Sequence, residues 1–201
     1  EKGRVTRTLI DGNVAGASNS QGGGAYVYAG LLDNCIVLTN SAVNGGGIWI
    51  RNANAKVANC VLAGNAADTN GGGLHMGGNA AAEIENCVFV GNTSSAAEFV
   101  GAPQWSAASY PLLTNAVKRC AFVGSDFVGE GSFACADAKF RDAASGDYRI
   151  ALDSPLRFRG AYEPWMDEQT DFYGNRRVVS KRRVDIGCHQ TPGNGMVLLV
   201  K

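Results

Sequence analysis

No stretch of the 201 residues approaches the roughly 20 consecutive apolar positions that a bilayer-spanning helix requires. The first residues show neither an initiator Met nor the apolar core of a signal peptide, so the chain reads as a processed product or an excised fragment. It also lacks a net charge. Eighteen Lys plus Arg balance 18 Asp plus Glu, and no global field draws the protein to nucleic acid or an anionic membrane. Histidine is reduced to His75 and His189. The six cysteines show neither a Cys-x-x-Cys nor a Cys-His zinc spacing, and the chain holds no Gly-x-Ser-x-Gly elbow, Walker loop or metalloprotease phrase. Charge is nearly missing from residues 12–117, which hold only Asp33, Arg51, Lys56, Asp68, Glu83, Glu85 and Glu98, whereas residues 118–185 carry 12 basic and 11 acidic side chains. Two regions with different surfaces follow.

What is present is a repeat. The phrases TLIDGN (8–13), CIVLTN (35–40), CVLAGN (60–65) and CVFVGN (87–92) place Asn13, Asn40, Asn65 and Asn92 at intervals of 27, 25 and 27. CAFVGS (120–125) puts Ser125 in the same place after 33 residues. Between them run GGGAYVY (22–28), GGGIWIR (45–51) and GGGLHMG (71–77). Apolar residues alternate over only three to six positions, β-branched types are common, and helix signals are nearly absent, which predicts short strands. A period near 25 with two or three short strands suits a parallel β-solenoid, one unit per coil. A leucine-rich horseshoe would need a recurrent Leu lattice that is missing.

Equivalent positions then form ladders about 4.8 Å apart. The alternation turns Ala25 and Val27, Ile48 and Ile50, Leu74 and Met76 inward. Cys35, Cys60, Cys87 and Cys120 form a second inward ladder, and Val37, Leu62, Phe89 and Phe122 a third. Asn40, Asn65 and Asn92 sit at a turn, where stacked amides bond coil to coil and tolerate left-handed backbone. The glycine triplets let the chain bend before a strand.

Phe89-Val-Gly-Asn92 and the Gly-Gly-Gly-Ile48 opening resemble the repeat phrases of polymorphic outer membrane proteins. Gly146-Asp147-Tyr148-Arg149-Ile150, Ser154-Pro155 through Gly160, Asp171 through Gly174-Asn175-Arg176, and Asp185-Ile186-Gly187-Cys188-His189-Gln190 resemble the closing stretch of secreted right-handed parallel β-helix proteins, which are pectate-lyase-like. The resemblance covers nearly the whole chain. It implies an all-β, right-handed parallel β-helix, coils over residues 1–125 and a C-terminal closing region over 126–201. It also implies a secreted or cell-surface setting, for adhesins as for carbohydrate-active enzymes. Residues 1–13 match only the second half of a coil, which predicts further coils upstream.

In-register thiols hold their Cβ atoms parallel at about the strand spacing, wider than the ~3.8 Å of a disulfide, so the four ladder cysteines are expected to be reduced core residues. Cys135 and Cys188 lie outside the ladder and could pair, although Cys188 occupies the small inward position of the phrase implied by the resemblance.

Strict alternation turns Tyr26, Trp49 and His75 outward in register, with Tyr28, Arg51 and Gly77 two positions on. Such a strip of rings beside a guanidinium can stack on sugar faces; the competing reading is cross-strand pairing that stabilises the sheet. A second outward line is apolar: Ile36, Val61, Val88 and Ala121, then Leu38, Ala63, Val90 and Val123. Something is expected to cover it: the insertion 93–117 with Trp105, Tyr110, Leu112 and Leu113, the charged tail, or a protein partner.

β-Helix lyases use clustered carboxylates to hold calcium and an Arg or Lys base, and hydrolases use paired carboxylates in a cleft. Here Asp33 and Glu85 share a ladder position but Ala58 separates them, with Lys118 beyond and Glu83 nearby, a poor catalytic set. Asp167, Glu168, Asp171 and Asp185 could hold a hard cation such as calcium, but WMDEQTD (165–171) reads more readily as a solvated loop, and no cofactor is called for. The expectation is a non-catalytic adhesion or glycan-binding module for a polysaccharide or glycoconjugate, at Tyr26, Tyr28, Trp49, Arg51 and His75. The alternatives are a fragment of a polysaccharide lyase or glycoside hydrolase, and a stalk that displays another domain.

Overall fold

A computed structural model describes residues 3–51, 54–77, 82–95, 105–107, 117–124, 130–179 and 182–193. Each repeat is one coil of a parallel β-solenoid, and the second, third and fourth coils carry four short strands rather than two or three. The first coil supplies β1 (Arg4–Thr6), β2 (Leu9–Asp11) and β3 (Ala25–Val27). The second has β4 (Gly30–Asp33), β5 (Ile36–Leu38), β6 (Ser41–Asn44) and β7 (Ile48–Ile50). The third has β8 (Ala55–Ala58), β9 (Val61–Ala63), β10 (Ala66–Asn70) and β11 (Leu74–Met76). The fourth has β12 (Glu83–Glu85), β13 (Val88–Val90), β14 (Thr93–Ser94) and β15 (Trp105–Ala107). β16 (Val117–Lys118), β17 (Ala121–Val123) and β18 (Phe133–Cys135) extend two of the stacks.

Stacking gives four parallel sheets: A (β1-β4-β8-β12-β16), B (β2-β5-β9-β13-β17-β18), C (β6-β10-β14) and D (β3-β7-β11-β15). Because the repeat length barely varies, chemically equivalent residues fall opposite one another. Leu62 pairs with Val37 and Phe89, and Trp49 with Tyr26 and His75. The core is the set of inward ladders: Leu32, Val57, Ile84 and Val117 from sheet A; Val37, Leu62, Phe89 and Phe122 from B; Ile48, Ile50, Leu74 and Met76 from D. Phe89 and Phe122 stack at 4.9 Å between centroids. The four ladder cysteines are buried in this core as free thiols, and Cys135 and Cys188 are free as well.

Two asparagine ladders hold the corners. In the first, the Asn40 amide donates to Asn65 Oδ1 at 3.0 Å and to the Ile10 carbonyl, and Asn65 in turn donates to Asn92 Oδ1 and the Val37 carbonyl, each at 2.9 Å. The backbone N–H of Asn40 and of Asn65 also reaches the next coil's Oδ1. The left-handed backbone expected at these asparagines lies one residue earlier, at Thr39, Gly64 and Gly91. The second ladder is the Asn of the repeated Asn-Cys phrase. Asn34, Asn59 and Asn86 turn from sheet A into sheet B at φ of 51–53°, a conformation that asparagine tolerates better than most residues.

The glycine triplets are required by proximity as much as by bending. Gly45 is left-handed, and a Cβ on Gly46 would come within 2.1 Å of the Ala66 carbonyl oxygen in the next coil. The chain therefore passes this corner with backbone against backbone.

The outward apolar line on sheet B is covered by the tail. Ile36, Val61, Val88 and Ala121 pack in a second core with Tyr148, Ile150, Leu156, Ile186 and Cys188. Tyr148 and Ile150 belong to β20 (Asp147–Ile150), which pairs antiparallel with β19 (Phe140–Asp142). Residues 138–188 thus do their packing along the side of the solenoid, while β18 continues sheet B beyond residue 125. The insertion offered as alternative cover lies, apart from the short strands at its ends and β15, outside the described residues.

Polar pairing fixes where the tail docks. Asn86 exchanges hydrogen bonds with the Ala161 backbone, its carbonyl accepts from Gly187 N–H, and Arg177 donates to Asn59 Oδ1 at 2.9 Å. The Asp171 and Asp185 carboxylates accept N–H groups of Asn175, Gln190, Phe158 and Thr191, so these residues knit the tail together.

Asn65→Ala is expected to cost at least about 3 kcal/mol, because it strands the Val37 carbonyl and the Asn40 N–H groups inside the protein. Asn13→Ala, at the exposed first coil, is expected to cost about 1 kcal/mol or less. Urea unfolding of both variants checks the contrast, and equal losses would contradict it.

Candidate functional site

The outward strip on sheet D forms in register, with the Tyr26 and Trp49 rings stacked at 4.9 Å and 20°, and Trp49 and His75 at 6.3 Å and 33°. It is not open along its length. Trp49 is 4% exposed and His75 9%, while Tyr26 and Tyr28 remain 51% and 62% exposed. A Cβ at Gly77 would lie 2.1 Å from Trp49 Cζ2, so the indole rests on that glycine, and the Arg51 guanidinium lies 5.9 Å from the Trp49 ring. Of the five residues expected to meet a ligand, the described surface leaves Tyr26, Tyr28 and Arg51 exposed.

A better formed hollow lies on the outer face of sheet A. Pairing sets Arg4, Leu31, Lys56 and Glu83 opposite one another on successive coils, with Thr6, Asp33, Ala58, Glu85 and Lys118 as the next outward row. The tail crosses this face at a 3₁₀ turn, Pro164–Met166, which holds Trp165 over the strands. The Trp165 ring lies 5.9 Å from the Arg4 guanidinium and 5.7 Å from Lys56 Nζ, and Arg4 donates to Gln169 Oε1 at 2.5 Å. Gly3, Arg4, Leu31, Lys56, Glu83, Glu163 and Trp165 enclose a cleft of about 550 Å³. A second hollow of about 420 Å³ at the first coil is lined by Tyr26 and Tyr28 and by the inward Ile10, Val27 and Leu32, and it shares Gly3, Arg4 and Leu31 with the cleft.

The charges of the cleft are ordered. Arg4 grips the buried Asp33 carboxylate in a fork, Nε to Oδ1 and Nη2 to Oδ2, each at 2.9 Å. Asn34 Nδ2 also donates to Asp33 Oδ2, at 2.8 Å. Lys56 Nζ sits 3.1 Å from both Glu83 and Glu85 and so joins these two carboxylates. Burial pushes the Glu85 carboxyl upward against the opposing pull of Lys56. Burial also opposes the Lys56 charge, but Glu85 and Glu83 outweigh it and raise the ammonium's pKa.

Arg4, Lys56, Glu163 and Trp165 were not among the expected site residues. The Arg4–Lys56–Glu83 row follows from the repeat period once sheet A is recognised. Trp165 carries no such signal, since the fold of the tail back across the coils brings it there. His189 lies in the tail rather than with His75 on sheet D: its Nδ1 accepts the Ile150 N–H at 3.1 Å and its ring meets Tyr173 edge-on. Among the described residues no group of three or more His, Cys, Asp or Glu is arranged to hold a metal ion, and no helix is long and apolar enough to cross a membrane.

Burial pushes the His75 pKa down to about 4. The unfolded chain takes up this proton near pH 6.5 while the native state resists until about pH 4, so stability is lost as pH falls through that window, on the order of 3 kcal/mol in full. His189, lowered by its own burial, acts in the same direction. His75→Gln is expected to flatten the fall in urea midpoint between pH 7 and pH 4.5; an unchanged fall would contradict the buried, neutral imidazole.

No protein family, curated protein or solved structure matches the chain in sequence or fold comparison.

Proposed function

We propose that the protein is a non-catalytic glycan-binding module of a secreted or surface-displayed parallel β-helix. Its ligand, a polysaccharide or glycoconjugate, lies in the cleft of sheet A. The observation that carries this reading is Trp165, half-buried, presented over the cleft beside Arg4 and Lys56. A pyranose stacks its C–H face on an indole while its hydroxyls accept hydrogen bonds from rim cations and donate to rim carboxylates, and Arg4 and Lys56 with Glu83 and Glu163 are such a rim. Tyr26 and Tyr28, on the adjoining hollow, offer further rings to an extended chain. The resemblance of the repeats and of the closing phrases to polymorphic outer membrane proteins and pectate-lyase-like β-helices supports the same setting.

A second reading, a glycoside hydrolase, draws on Glu83 and Glu85 sharing one ammonium while burial favours the protonated form of Glu85. Binding is favoured because Lys56 occupies the space between the two carboxylates, where a scissile bond would have to sit.

Glycan-array binding by the full chain and by Trp165→Ala tests the proposal. Retained glycans are expected to lose at least about tenfold in affinity with the substitution, the scale of one stacking contact. Retention that ignores Trp165→Ala places the site elsewhere, and shortened glycan products would replace binding with hydrolysis.

A further inference from the structure

The charge arrangement of the sheet A cleft specifies a ligand class, an inference that rests on the glycan-binding reading. Both cations are already matched from behind: Arg4 by the buried Asp33, and Lys56 by the nearly buried Glu85. Two carboxylates are left over. Glu83, its side chain 59% exposed, shares Lys56 with Glu85, and Glu163 lines the same cleft with no ion pair among the described residues. The four carboxylates and two cations leave the site negative. It stays negative when Glu85 holds a proton, which its burial favours.

A negative cleft beside Trp165 repels uronate or sulfate groups and attracts ammonium groups. Trp165 is compatible with the same preference, because an indole presents an electron-rich face to a cation as well as a stacking face to a pyranose. We infer that the cleft selects a polysaccharide bearing free amino groups, with pyranose rings stacked on Trp165 and ammonium groups directed to Glu83 and Glu163. A ligand amine placed at Glu83 would compete with Lys56 for a carboxylate that is accessible, whereas Asp33 and Glu85 keep their partners. That division of labour separates two structural carboxylates from two that face the ligand.

Titration calorimetry of the full chain with three oligosaccharides of equal length tests this: an oligomer of glucosamine, its fully N-acetylated form, and an oligogalacturonate. At low salt the glucosamine oligomer is expected to bind at least about tenfold tighter than the acetylated one, with the gap narrowing as added salt screens the exposed charges. Glu83→Gln and Glu163→Gln are each expected to weaken the glucosamine oligomer several-fold more than they weaken the acetylated form. Oligogalacturonate is expected not to bind. Tighter binding of oligogalacturonate, or equal binding of the aminated and acetylated oligomers, overturns the charge selection. In either case sensitivity to Trp165→Ala keeps the glycan-binding reading intact. Failure of all three oligomers and of the wider array overturns both.

Discussion

The structure depends on register between coils. A parallel ladder of strands two to five residues long has few hydrogen bonds per rung, and a one-residue slip would exchange the inner and outer faces of every strand at once. The Asn40–Asn65–Asn92 ladder opposes such a slip, because each buried amide bonds both the side chain and the backbone of neighbouring coils. Shifting one coil would leave several buried amide and carbonyl groups unpaired, at a cost of the order of 1–3 kcal/mol each. With that register held, the thiol ladder, the Phe89–Phe122 stack and the glycine corners fall into place as repeats of one local solution.

The same register produces three outer faces of different character. Sheet B presents Ile36, Val61, Val88 and Ala121, a stripe of apolar rungs that water would penalise, and the tail buries it. The tail's charged residues are compatible with that burial because its apolar side, Tyr148, Ile150, Leu156 and Ile186, faces the sheet while the Asp171 and Asp185 carboxylates accept tail N–H groups and Arg177 Nη2 bonds Asn59 Oδ1 and the Asp185 carbonyl. Sheet D carries stacked rings that protect each other. Sheet A carries ionic rungs, and the tail meets it through the Trp165 indole and the Gln169 amide rather than through a packed face. A solenoid side packed by aliphatic groups is closed, whereas one crossed by a single ring over paired charges keeps a cleft.

Much of this was legible in the chain. The period of 25–27 and the two-residue alternation are enough to name the inward ladders, since equivalent residues in stacked coils must meet. Three features were read differently. The left-handed corner falls on Thr39, Gly64 and Gly91 instead of the asparagines after them, because the amide must point at the next coil while the preceding residue makes the turn. The second and third coils have four strands, since the run before the glycine triplet also pairs. The expected aromatic strip is closed at Trp49 and His75, because alternation fixes which side of a strand a residue takes but not what lies over that side.

Sequence alone therefore determined the solenoid, its inner ladders, the free ladder thiols and the presence of an apolar stripe in need of cover, all consequences of short-range alternation repeated at a constant period. The tertiary structure decided which segment covers that stripe, and with it where the open cleft lies. Trp165 is some 110 residues from Lys56 along the chain and meets it only because the tail folds back over the coils. A contact of that kind leaves no period in the sequence, because its partners are set by the packing of one unique segment and not by the repetition of a common one.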